Sequence, residues 1–84
     1  MRAVPELYVL DQRDNVRLAE AFAHALRQVE PDLALARARR IARCLIESTA
    51  AIVDVALEQS PASARGLTDE LVEMQLAYLE SILI

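Results

Sequence analysis

Lysine and tryptophan are absent from this sequence, glycine and cysteine occur once each, and the aromatics are two tyrosines and one phenylalanine. Each shortage excludes something. One cysteine, Cys44, cannot form an intrachain disulfide and fits a reducing compartment. One glycine, Gly66, leaves no glycine-rich loop to cradle a phosphate. A single histidine beside a single cysteine cannot complete a usual zinc ligand set. Long apolar runs are missing too. The longest uncharged run in the central helical pattern, Ser48 to Val53, falls far short of the ~20 residues that span a bilayer. The opening MRAVPELYVLDQRD holds no apolar stretch of signal-peptide length. The expectation is a soluble, cytoplasmic chain with no membrane partner. The net charge of −4 argues against a free-standing nucleic-acid binder, although all nine positive side chains are arginine.

What remains is 55% hydrophobic in only 84 residues, mostly Ala, Leu, Ile and Val. That composition favours helices packed at close range, in one domain covering residues 1–84. A chain this short buries only about 60–65% of its unfolded surface, so its core is marginal unless something adds to it. Pro5 and Glu6 suit a first helical turn. Asp11 to Asn15 is either a break with Asp14 or Asn15 as a cap, or a solvated patch in one helix. It contains no Gly or Pro, and continuity is the expectation. From Val16 to Val29, Leu18, Phe22, Leu26 and Val29 make an apolar face with Ala25 beside it. Arg17, Glu20, His24, Arg27 and Gln28 lie opposite. Glu30-Pro31-Asp32 ends that helix, and Asp32 is a good cap for the next.

The next pattern runs from Leu33 to Gln59, flanked by Pro31 and Pro61. At roughly 100° per residue, Arg40, Arg43, Glu47, Asp54 and Glu58 fall in a sector about 60° wide. Two apolar stripes follow: Ala38, Ile41, Leu45, Thr49, Ile52 and Ala56, then Ile46, Ala50, Val53 and Leu57. Arg37, Arg39, Arg40 and Arg43 crowd the N-terminal half, and the acids the C-terminal half, which opposes the helix dipole. Burial must hold this helix, or its arginines must find acidic partners. The last helix starts at Ser63 or Thr68, with Gly66 just outside the later start. It also carries two stripes: Leu67, Leu71, Met74, Tyr78 and Ile82, then Val72, Leu76, Leu79 and Leu83. Three to four helices in an all-α fold are expected. The last two hold more apolar surface than the chain can cover, enough to leave a patch above a few hundred Å². Self-association answers this, the last two helices of each chain forming an intersubunit four-helix bundle. The expected dimer side is Ile46, Ala50, Val53 and Leu57 with Val72, Leu76, Leu79 and Leu83. Ile41, Leu45, Thr49 and Ile52 are expected to face the chain itself, although the wheel alone allows the two stripes of this helix to exchange roles.

Candidate chemistry is thin. Glu20 and His24 have the spacing of half a metal site, or of a solvated pair on one helix face. Cys44 lies near Arg40 and Arg43 but has no catalytic constellation, and reads as an inert, partly buried residue. RARRIAR, Arg37 to Arg43, resembles a basic patch, yet its arginines spread around the wheel and suit ion pairs with acidic helices better than phosphates. Ser48 and Thr49 either bond back to the preceding turn or place polar groups in an apolar cavity. Tyr8, Phe22, Met74 and Tyr78 are core residues or the lining of that cavity. No enzyme activity and no cofactor are expected.

The order of features resembles the C-terminal half of a TetR-family transcriptional regulator. The resemblance rests on VPELYVLDQRDNVRLAEAFAHAL, then EPDLALARARRIARCLIESTAAIVDVALEQ as the long penultimate helix, then LTDELVEMQLAYLESIL with its Tyr78-Leu79 pair. It implies a non-catalytic, ligand-binding dimerisation domain with a small hydrophobic effector. The candidate effector pocket is Tyr8, Phe22, Leu45, Thr49, Ile52, Met74 and Tyr78. DNA would be contacted only through a helix-turn-helix domain missing from this chain. The other expectation is an independent helical adaptor or assembly protein that homodimerises.

Overall fold

The computed structural model describes the backbone of residues 5–83 and the side chains of residues 13–83. They contain three helices: α1 (Pro5–Val29), α2 (Leu35–Ala56) and α3 (Pro61–Leu83). The fold is all-α, with three helices rather than four and no strand among the described residues.

α1 runs unbroken through Asp11 to Asn15, so the polar patch is helix and not a break. It stops where Glu30 precedes Pro31, a position pushed out of helical geometry. Arg27 in the last turn donates from Nε to the Leu33 carbonyl at 3.0 Å. A cation there also complements the negative end of the α1 dipole. The Leu33 amide donates to the Glu30 carbonyl at 3.1 Å, and the Leu33 side chain is buried. That inward turn delays α2, which begins at Leu35 and not at Leu33. Asp32 is therefore not its cap: the Ala38 amide donates to the Ala34 carbonyl at 2.9 Å, which puts Ala34 at the capping position. The Asp32 amide instead donates to Glu30 Oε1 at 3.3 Å.

α2 ends at Ala56, short of Gln59. The amides of Glu58 and Gln59 bond to the carbonyls of Val55 and Ala56 at 3.1 and 3.0 Å, a tightened final turn. α3 begins earlier than either expected start. The Ser63 amide donates to Ser60 Oγ at 3.3 Å and the Ala64 amide to the Ser60 carbonyl at 2.9 Å, so Ser60 is the cap and Pro61 the first helical residue. Thr68 lies inside the helix, its hydroxyl donating back to the Ala64 carbonyl at 2.9 Å.

The chain divides into two compact units, Met1–Glu47 and Ser48–Ile84, with the division falling inside α2. In the first, α1 and the start of α2 form an antiparallel hairpin, since Glu20 meets Arg39 while Asn15 meets Glu47. Its buried side chains are Ala19, Ala23, Leu26, Leu33, Ala38, Ile41, Ala42 and Leu45. This corrects the expected face of α1. Leu18 is 57% exposed, Val29 69%, Ala25 is exposed, and Phe22 is half-buried. Small residues win the inner positions because they let two helices approach closely, whereas Leu18 on that face would hold them apart. In the second unit the end of α2 runs antiparallel to α3. Among the described residues only Leu71 is buried there.

Gly66 occupies the interior of α3 with no positive φ, and nothing lies within 4 Å of where a Cβ would sit. Replacing Gly66 with Ala should therefore stabilise the protein by about 0.5–1 kcal/mol, read as a higher urea midpoint. An unchanged or lower midpoint would place Gly66 outside a stable helix.

Candidate functional site

Two side-chain clusters stand out, one in each unit. In Ser48–Ile84, Gln75 reaches across from α3 to α2. Its Nε2 donates to Ser48 Oγ at 3.1 Å and to Thr49 Oγ1 at 2.9 Å. All three residues are half-buried. The two hydroxyls thus accept a shared amide between apolar helices, a contact that fixes register much as a lone polar residue does in a coiled coil. Sequence reasoning singled out Ser48 and Thr49 but passed over Gln75. The usable signal was one uncharged polar side chain set among the apolar stripes of α3.

One turn further along α2, Ile52 lines a shallow recess of about 130 Å³ with Leu67, Glu70, Leu71 and Met74. Of the expected pocket residues, Ile52 and Met74 share this recess. Thr49 is half-buried and tied to Gln75, and Tyr78 is exposed. In Met1–Glu47, Leu45 is buried and Phe22 half-buried. The side chain of Tyr8 lies outside the described residues. The residues expected on the dimer side form a graded set. Ile46, Ala50, Leu79 and Leu83 are half-buried, while Val53 is 46% exposed, Leu57 79%, Val72 48% and Leu76 53%.

The first unit holds the ion pairs. Arg39 grips Glu20 with Nη2 at 2.8 Å from Oε1 and Nε within hydrogen-bond reach of both carboxylate oxygens. His24 Nε2 sits 3.3 Å from the same Glu20 Oε1, the solvated helix-face geometry its spacing implied. Arg43 donates from Nε to Glu47 Oε2 at 2.7 Å. Asn15 Nδ2 donates to Glu47 Oε1 at 3.2 Å. The hydrogen bonds from Arg39 hold the Glu20 carboxyl below its ordinary value, and Glu20 holds the Arg39 guanidinium above its own. Cys44 is exposed rather than partly buried, because Ala42 and Leu45 take the inward positions of that turn. Among the described residues no group of three or more His, Cys, Asp and Glu is placed to hold a metal ion. None of the described helices is long and apolar enough to cross a membrane.

Residues 1–79 match the family model described as the tetracyclin repressor-like C-terminal domain, and the chain belongs to that family. Domains of this kind are parts of transcriptional regulators and typically dimerise and bind small effectors. No curated protein and no solved structure gives a significant match.

Glu20 supplies a pH test. Its pKa is depressed in the folded chain, so its contribution to stability is present above the ordinary carboxylate pKa and lost as pH falls through the depressed value. His24 and Arg39 are the groups that face it. Glu20→Gln should therefore flatten the acid limb of the stability curve, read as thermal midpoints from about pH 7 to about pH 3. An acid limb identical to that of the parent would remove Glu20 from the account.

Proposed function

We propose that this chain is the dimerisation and effector-binding part of a TetR-like transcriptional regulator, without catalytic activity of its own. One observation carries the reading. The stripe Val53 and Leu57 on α2, with Val72 and Leu76 on α3, stays substantially exposed, while Leu71 is the only buried side chain among the described residues of Ser48–Ile84. A patch of this kind on a small acidic chain calls for a partner surface of the same character. A second copy supplies one by symmetry: α2 and α3 of two chains form a four-helix bundle, and Ile46, Ala50, Leu79 and Leu83 continue the interface. The family match favours this reading over an independent adaptor.

A small hydrophobic effector suits the recess that Ile52 and Met74 share. At about 130 Å³ it is below the ~300 Å³ of ordinary ligand pockets, so it serves as one wall of a larger site. Contact with DNA falls to a helix-turn-helix domain, which these residues do not include.

Light scattering after size exclusion should give about twice the chain mass of 9.3 kDa. Val53→Glu and Leu76→Glu should each shift that mass to the monomer at low micromolar concentration. A parent chain that is monomeric at tens of micromolar, or a Val53→Glu variant of unchanged mass, would sink the proposal.

A further inference from the structure

The arginines of α2 do more than pair with acids. Arg39, Arg40 and Arg43, with Val16, Ala19 and Glu20, line an open recess of about 290 Å³. Arg39 pairs with Glu20 and Arg43 with Glu47, so among the described residues Arg40 is the arginine of this lining with no ion-pair partner, within a chain of net charge −4.

We propose that this recess binds a small organic anion with an aliphatic body, its carboxylate meeting Arg40 between Arg39 and Arg43 and its body lying on Val16 and Ala19. Three features support that chemistry. Guanidinium forks match a carboxylate in geometry and form strong charge-assisted hydrogen bonds. Glu20 and Glu47 already hold Arg39 and Arg43 in place, so less side-chain freedom is lost on binding. Val16 and Ala19 add apolar surface that a bare inorganic ion would not use. The volume sits at the lower end of the ~300–1,000 Å³ typical of ligand pockets, which selects a small molecule. The site lies wholly within Met1–Glu47, so it is independent of the dimer proposal and of the recess at Ile52.

The test is calorimetric titration of the full chain with octanoate, octan-1-ol and acetate as probes. Octanoate should bind saturably at a single site, with octanol and acetate each at least about tenfold weaker, and rising salt should weaken octanoate. Arg40→Gln should cost octanoate about tenfold in affinity, with the helical circular dichroism retained because Arg40 is exposed. Arg40→Lys should lose less. Equal binding of octanoate and octanol would reduce the recess to an apolar patch and overturn the proposal. So would equal binding of octanoate and acetate, or unchanged affinity in Arg40→Gln. Tighter binding of an acidic helical peptide than of octanoate would replace the small ligand with a protein partner. The probe series on the parent chain decides the matter without any variant.

Discussion

Burial of α3 is the constraint that the second unit of this chain has to meet. In Ser48–Ile84 Leu71 is buried, while Val53, Leu57, Val72, Met74 and Leu76 keep roughly half or more of their surface in water. A fully buried Val, Leu or Met contributes about 1.5–3 kcal/mol relative to exposure. Leaving five such side chains substantially exposed withholds several kcal/mol. The net stability of an ordinary domain is only about 5–15 kcal/mol, so that shortfall is large. The Gln75 bond to Ser48 and Thr49 sets the register of the two helices but cannot replace the missing burial. The partner surface proposed on α2 and α3 would supply that missing burial.

The first unit solves the same problem differently. Ala19, Ala23, Ala38 and Ala42 give its hairpin a small-residue seam, with Ile41, Leu26 and Leu45 as its larger fillers. Close approach compensates for the modest apolar area of alanine by improving packing at every contact. It also brings Arg39 within reach of Glu20 on α1, while Arg43 pairs with Glu47 one turn further along α2 itself; these exposed pairs add little stability. Their consequence is positional: they hold two guanidinium groups in the lining of a recess.

Much of this was legible from residue patterns, and the failures have specific causes. Continuity of α1 followed from the lack of Gly or Pro between Asp11 and Asn15. The inward set Ala38, Ile41 and Leu45 of α2 followed from helical spacing. The inner face of α1 was misread because Leu18 and Val29 outrank Ala19 and Ala23 in hydrophobicity, whereas close helix packing rewards small size. The start of α3 was misread because Thr68 with Asp69 and Glu70 imitates a capped terminus. Ser60-Pro61 was the stronger signal, a capping residue followed by a proline in the first helical position. Asp32 failed as a cap because Leu33 turned inward first, a tertiary preference that no local rule contains. The partnership of Gln75 with Ser48 and Thr49 links residues 26 and 27 apart, beyond any helical spacing rule.

If burial on α2 and α3 is completed by a second copy, folding and association are one equilibrium, and stability depends on protein concentration. The most direct measurement is the thermal midpoint of the chain over a hundredfold range of concentration, followed by circular dichroism. Coupled folding predicts a midpoint that rises steadily with concentration, by several degrees over that range. A midpoint independent of concentration would contradict the account, because the chain would then reach its full stability without a partner on α2 and α3.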